Sequence, residues 1–263
     1  MKIGFIGFGN MAQAIATGLL KNHLAKPEDL LFSNKTESKR KQLEDRFNIK
    51  GYSNNQNVWD QSEVIILAVK PYQVETVLNE IDQQNKPFII SVVAGITNAQ
   101  LNHLLSGSAF VRTMPNLNAQ VGEGITAIIE QNDLTVDQLE QSKKIFSAVG
   151  ETVVLPESQL GAFIAIAGSS PALVFMFIDT LARAAVKYGL PKDKATMIAA
   201  QAVLGSGKTV LESEDTPWTL IDQVSSPGGI TIDGILSLLQ SDFSSSIITS
   251  VDQMVEKNDQ MSK

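Results

Sequence analysis

The chain opens on the apolar stretch Lys2-Ile3-Gly4-Phe5-Ile6 and runs straight into Gly7-Phe8-Gly9-Asn10-Met11-Ala12. A short strand that meets Gly-x-Gly-x-x-Ala this close to Met1 leaves few folds open. Gly7 permits the tight turn out of the strand, Gly9 lets the backbone come close to a pyrophosphate, and Ala12 is small enough for the next helix to pack on the strand. That helix is expected to begin near Asn10, with its free N–H groups and positive dipole end turned toward phosphates. A glycine turn by itself is a weak sign. Its place between a strand and the amphipathic run Met11–Leu20 makes it a candidate dinucleotide-binding turn, with Ile6, Gly7, Gly9, Asn10, Met11 and Ala12 as cofactor contacts.

Beyond this turn, strand and helix patterns alternate as a dinucleotide-binding fold requires. Apolar strand candidates Lys2–Ile6, Asp29–Ser33, Val64–Val69, Phe88–Val93 and Ala109–Thr113 are short and separated by helical patterns. This is the pattern of a parallel sheet covered on both faces. Gly124–Glu130 and Glu151–Leu155 read as strands extending its edge, with a helix over Asp137–Val149 between them. The expected fold class is therefore α/β, a doubly wound (Rossmann) dinucleotide-binding domain over residues 1–156. After Pro156 the character changes, and residues 157–263 are expected to form an all-α domain. Within it Pro171–Val186 is apolar around nearly its whole circumference, and such a helix must be buried on every side. A helical domain of about a hundred residues has little interior for that. A second subunit resolves the conflict, so a homodimer through the helical domain is expected; a central helix in a monomeric bundle is the plainer alternative.

Composition narrows the chemistry. A formal net charge of -7 supplies no basic footprint, so no nucleic-acid partner is expected. The absence of cysteine excludes disulfides and thiolate chemistry, and the two histidines, His23 and His103, sit in no metal-ligand spacing. Neither a metal site nor a histidine acid–base mechanism is expected. No segment is expected to approach the roughly 18 apolar residues of a membrane span, and the N-terminus reads as a strand rather than a signal peptide. No membrane partner and a cytoplasmic location are the corresponding expectations.

The end of the second strand speaks to the coenzyme. NAD enzymes usually place an acid there for the ribose 2′-OH. Here the strand ends Phe32-Ser33-Asn34-Lys35-Thr36, with donors at Ser33, Asn34 and Thr36 and positive charge at Lys35, Lys39 and Arg40. This favours NADP(H), with NADH as the alternative; Glu37 weakens the case, and part of the basic run is expected to be a solvated helix face. Ala68-Val69-Lys70-Pro71, Ala94-Gly95 and Thr113-Met114-Pro115-Asn116 end later strands, where ligands of open α/β sheets bind. Each alone is an ordinary turn. Together with the glycine turn they describe one rim.

The most specific segment is Ser225-Ser226-Pro227-Gly228-Gly229-Ile230-Thr231. It reads as a flexible turn beside a helix N-terminus, suited to a small carboxylate, with Thr231 able to cap the helix or bond a ligand. A loop and cap is the plainer reading. With this signature, and with Gly4–Ala12, Ala68–Pro71, Val93–Thr97, Arg112–Asn116 and Ala167–Ala172, the chain resembles the pyrroline-5-carboxylate reductases over essentially its whole length.

The resemblance implies hydride transfer from NADPH, or NADH, to the C=N carbon of 1-pyrroline-5-carboxylate, giving L-proline in the last step of proline biosynthesis. It implies that Thr231 hydrogen-bonds the imine nitrogen and that Ser226, Gly229 and Ile230 take the substrate carboxylate. Glu214 aligns with a substrate-side acid in some relatives, although acids before a helix are commonly caps. Ser33, Asn34 and Asn55 align with positions that contact the adenosine phosphate or ribose. Family members join a Rossmann domain to a helical domain that interlocks between subunits, some as dimers and others as decamers built from dimers; nothing in this chain separates the two. A β-hydroxyacid dehydrogenase needs a lysine where this chain has Gly168-Ser169-Ser170-Pro171. Another NADP-dependent imine reductase is the nearer alternative. A non-catalytic NADP-binding sensor would have no reason to keep the Pro-Gly-Gly turn.

Overall fold

Eight strands of the described residues, β1 (Ile3–Ile6), β2 (Leu30–Ser33), β3 (Lys50–Tyr52), β4 (Val64–Leu67), β5 (Phe88–Ser91), β6 (Phe110–Pro115), β7 (Gly124–Ile129) and β8 (Gly150–Leu155), form one sheet in the order β3-β2-β1-β4-β5-β6-β7-β8. The structure is a computed structural model describing residues 1–131 and 133–261. All neighbouring strands pair in parallel except β6 and β7, which are antiparallel. The two C-terminal strands extend the sheet edge as expected, whereas β3 has no counterpart among the strands expected from sequence.

Side-chain alternation divides the core into two layers. Ile3, Phe5, Val64, Ile66 and Ile90 face one side, where they meet Ile15 and Leu19 of α1 (Asn10–Lys21), Phe47 of α2 (Glu37–Phe47) and residues 145–149. Ile6, Ile65, Leu67 and Ile89 face the other. There they meet Trp59 of α3 (Asn55–Gln61), Val74 and Leu78 of α4 (Val74–Asn79), and Leu101 of α5 (Asn98–Leu104). Because both faces are covered, β1 and β4 at the middle of the parallel part are apolar at every position rather than at alternate ones. On the first face Phe8 stacks on Phe32 at 4.6 Å between ring centroids and meets Phe47 edge-on at 5.4 Å. This cluster anchors the residue between the two motif glycines. The helix expected over Asp137–Val149 is α6 (Val136–Phe146), opened by Thr135 and Gln138 as a reciprocal capping box.

Contacts divide the chain into two units, Met1–Gly168 with the C-terminal residues from Lys257, and Ser169–Glu256. The lead-in after Pro156 includes α7 (Leu160–Phe163) and a π-helical turn over Ile164–Ser169. Phe163 and Ala167 of this stretch bury against Ala127 and Ile129 of β7. Arg112, buried on β6, also forms an ion pair with Glu157 at the start of the lead-in.

The second unit carries α8 (Ser170–Lys187), α9 (Lys192–Glu212), α10 (Pro217–Gln223), α11 (Ile230–Gln240) and most of α12 (Phe243–Met261). α8 and α9 pack as an antiparallel hairpin, and besides Pro171 their buried residues are Ala182, Ala195 and Ala199. The large side chains of α8 are left open, with Phe175 55% and Met176 64% exposed. One expectation needs correcting. Glu157–Lys187 is a helical run of 31 residues that is long and apolar enough, by length and composition, to cross a membrane. Its alanine- and glycine-rich first half hides this length in the sequence, where Gly168–Pro171 has the composition of a turn.

At the end of β1, Gly7 adopts φ +86°, and an added Cβ would lie 2.7 Å from the backbone carbonyl of Ala68. Gly7→Ala is therefore expected to cost about 2 kcal/mol or more. In thermal unfolding this is a fall in Tm of roughly 5 °C or more, with Gly9→Ala as the control that leaves Tm within about 1 °C.

Candidate functional site

The carboxyl ends of β1, β4 and β5 converge on the N-terminus of α1. Gly9 is the N-cap of that helix, and no side chain caps it. The first N–H groups of Asn10, Met11 and Ala12 thus point from the helix end without a side-chain acceptor, the arrangement that binds phosphate oxygens. A Cβ on Gly9 would meet nothing within 4 Å, so its missing side chain opens space beside those donors. The same holds at Gly95, where φ is +72°. Ala68 and Val69 are half-buried along the rim, and Ala94 and Gly95 are exposed on it. Lys70 is also exposed and is the N-cap of a short 3-10 turn that begins with Pro71. The residues present therefore fit a dinucleotide pyrophosphate, with glycines where backbone must approach it and no side chain in the way.

The end of β2 supplies the second part. Ser33 is buried, and its hydroxyl donates to Asn55 Oδ1 at 2.7 Å, joining the end of β2 to the first residue of α3. Asn34 Oδ1 accepts from the Thr36 amide at 3.0 Å, while the Asn34 carbonyl accepts from Arg40 Nη1 at 3.1 Å. The other charges divide. Lys41 bonds Glu37 at 2.8 Å and, with Arg40 nearby, holds that carboxyl below its ordinary pKa. Lys35 meets Glu80 at 3.4 Å between two exposed side chains. Lys39 has no ion-pair partner among the described residues. What remains fixed at the strand end is the Arg40 guanidinium. Sequence places it only within a basic run, because the bond back to Asn34 depends on how α2 leaves the strand.

Asn116 follows Pro115 at the end of β6 and is 6% exposed. Its Nδ2 donates to the Ala167 carbonyl at 3.0 Å, and its Oδ1 accepts from the Ile125 amide at 3.1 Å. The expectation that Asn116 contacts the coenzyme concerns a side chain that here bridges three pieces of backbone. A cavity of about 1020 Å³ opens by Ser108 and Phe110 at the amino end of β6, away from this rim.

The second unit holds the other candidates. Ser226-Pro227-Gly228-Gly229 is a tight turn closed by the Gly229 amide donating to the Ser226 carbonyl at 2.9 Å. Gly228 has φ +69°, the position a type II turn reserves for glycine after proline. A Cβ on Gly229 would lie 2.5 Å from Ser226 Oγ. Gly229 is the N-cap of α11, again with no side-chain cap, and Thr231 is half-buried in that helix's first turn. Ser225 Oγ is buried without a hydrogen-bond partner among the described residues. Ile230 is 93% exposed. Glu214 is exposed and is not the cap of α10, a role filled by the Thr216 hydroxyl accepting from the Thr219 amide at 3.3 Å. The turn therefore offers backbone donors and hydroxyls together, without a carboxylate or a histidine. Among the described residues no cluster of three or more His, Asp or Glu side chains is arranged to hold a metal ion.

Two family models match the chain. One, described as NADP oxidoreductase coenzyme F420-dependent, covers residues 2–95, and one for pyrroline-5-carboxylate reductase dimerisation covers residues 157–261. A pyrroline-5-carboxylate reductase of Synechocystis sp. is 36% identical over 264 residues, covering 100% of this chain and 99% of its own. Among solved structures, a pyrroline-5-carboxylate reductase from Coxiella burnetii has a TM-score of 0.93 at 30% identity, covering 100% of this chain and 98% of its own. The Plasmodium falciparum pyrroline carboxylate reductase with NADP bound has a TM-score of 0.87 at 28% identity over 100% of this chain and 98% of its own. With full-length likeness in sequence and structure, and a Pro-Gly-Gly turn formed as the signature requires, the chain belongs to the pyrroline-5-carboxylate reductase family.

Proposed function

We propose that this chain reduces 1-pyrroline-5-carboxylate to L-proline with NADPH as hydride donor, working as a homodimer. The observation that carries the coenzyme half is the uncapped start of α1 behind Gly9, with open space where a side chain would stand. Preference for NADPH over NADH rests on the absence of an acid at Ser33–Lys35 and on Arg40, whose guanidinium is fixed to the Asn34 carbonyl. A 2′-phosphate suits that charge, and the hydroxyl and amides of Ser33, Asn34 and Asn55 suit the adenosine ribose. Ile6, Gly7, Asn10, Met11 and Ala12 line the pyrophosphate turn, and Ala68, Val69, Lys70, Pro71, Ala94 and Gly95 form the rest of the coenzyme rim.

When bound, the reduced nicotinamide supplies the hydride that the C=N carbon receives. The residues of the chain then have three tasks. With the Gly229 amide closing the turn, the Ile230 amide at the start of α11 and the Ser226 hydroxyl are the donors that hold the substrate carboxylate against the Gly229 backbone. Thr231 places its hydroxyl at the imine nitrogen, where the proton of the product amine is kept. A protonated imine is already electrophilic, so orientation does most of the work and no histidine or cysteine is required. Glu214, exposed and free of any capping duty, is the acid assigned to the substrate side.

The homodimer reading rests on the open apolar face of α8, which Phe175 and Met176 leave uncovered. A second copy is the covering that the dimerisation match favours over lipid, and a cytoplasmic location accords with it. A non-catalytic NADP-binding sensor would need neither Thr231 nor this loop.

Thr231→Ala is expected to lower kcat by about 100-fold, with NADPH affinity held within roughly a factor of two. Loss of coenzyme binding instead would remove Thr231 from the substrate side. Asn34→Asp is expected to move the NADPH:NADH ratio of kcat/KM toward NADH by about tenfold, by setting a carboxylate against the 2′-phosphate. An unchanged ratio would mean that the phosphate is read elsewhere. Met176→Asp is expected to halve the mass seen in sedimentation equilibrium; an unchanged mass would place the subunit interface on another face.

A further inference from the structure

The π-helical turn at Ile164–Ser169 runs up to Pro171, in the first turn of α8. In an α-helix the N–H of residue 171 would bond the carbonyl of Ala167, but residue 171 is proline. Proline has no N–H to give, and its ring crowds the carbonyl four residues back. The π turn ends just before this proline, where regular α-helical pairing is interrupted. The Ala167 carbonyl, itself in a residue only 7% exposed, therefore has no α-helical donor from residue 171. A buried carbonyl without a partner costs about 1–3 kcal/mol. Asn116 Nδ2 takes that place at 3.0 Å.

The other end of the same side chain is equally engaged. β6 and β7 pair as far as Pro115 opposite Thr126. Asn116 Oδ1 accepts the next amide, that of Ile125, at 3.1 Å and so adds one side-chain rung to the ladder. One buried amide therefore ties the carboxyl end of β6, the start of β7 and the proline-broken turn together. β6 runs parallel to β5, so its carboxyl end lies on the same edge of the sheet as those of β1 and β4, where ligands of open α/β sheets bind.

We infer that Asn116 is a positioning residue for hydride transfer: its side chain fixes the Ala167–Gly168 turn and the end of β6 at the nicotinamide side of the site, and it is not itself a coenzyme ligand. The inference rests on the proposed NADPH-dependent reaction. It replaces the side-chain contact with the coenzyme expected of Asn116 from sequence.

Asn116→Asp separates the two bonds. An ionised carboxylate still accepts from Ile125 but repels the Ala167 carbonyl; a protonated one can donate to it. In the apoprotein, hydrogen exchange read by mass spectrometry should keep Ile125 protected in Asn116→Asp. Residues 164–172 should exchange roughly tenfold faster there than in the wild type. Asn116→Ser, which keeps a small donor, should lie between the two. In the enzyme, kcat of Asn116→Asp should fall roughly tenfold or more at neutral pH while KM for NADPH stays within about a factor of three. The ratio to wild-type kcat should recover as the pH falls toward about 5 and the carboxyl takes up its proton. Unchanged exchange at 164–172 would overturn the inference, and so would a rise in KM for NADPH with kcat preserved, the mark of a direct coenzyme contact. The wild-type enzyme run alongside keeps this outcome apart from failure of the proposed reaction, since only the latter would leave the wild type without 1-pyrroline-5-carboxylate turnover.

Discussion

At the end of β1 the chain has to turn within contact distance of the neighbouring strand. The Ala68 amide donates to the Ile6 carbonyl at 2.8 Å, so the strands stay paired up to the turn itself. The next residue, Gly7, leaves at positive φ with the Ala68 backbone where a Cβ would be. Only that geometry lets α1 start immediately after β1, with its uncapped end over the carboxyl edge of the sheet. The Phe8 ring, packed between Phe5, Phe32 and Phe47, then fixes the turn from below. The rim proposed for the pyrophosphate is thus a consequence of backbone packing in the sheet, and it is preorganised because the aromatic cluster is buried.

The second unit obeys a different constraint. Where α8 meets α9 the contact is made through alanines, which lets the helices approach closely but buries few large side chains. The phenylalanine, methionine and leucine surface of α8 points away from that contact. Large exposed apolar surface on one element marks an interaction site. The Pro-Gly-Gly turn lies in this same unit, built from glycines whose conformation closes it and leaves the Ser226 side chain exposed, as the carboxylate role proposed for it needs. The role proposed for it asks little more, since an imine needs a placed donor rather than a strong acid.

Much of the first unit is legible in the sequence because its signals are local. The strands that form the sheet centre are unbroken apolar runs, and the glycine turn sits where one of them ends. β3 escapes such a reading because Lys50-Gly51-Tyr52 has a charge, a glycine and a half-exposed tyrosine, and it is a strand only by virtue of pairing with Leu31–Ser33. The roles of Arg40 and Asn116 are hidden for a related reason. Each depends on a bond to backbone whose position the fold sets, across 6 residues in one case and 51 in the other. Pro171 is plain in the sequence, yet its consequence for Ala167 emerges only when the segment before it is known to be helical. The membrane-length run is missed on the same point, since Gly168–Pro171 divides Glu157–Lys187 by composition while the helix continues through it.

The reaction itself is tested most directly by giving the purified protein 1-pyrroline-5-carboxylate with NADPH and measuring coenzyme oxidation and proline together, with NADH and substrate-free reactions beside it. The account requires one proline for each NADPH oxidised, faster with NADPH than with NADH. Tight NADPH binding with no oxidation dependent on 1-pyrroline-5-carboxylate would contradict it, and would return the Pro-Gly-Gly turn to a different ligand.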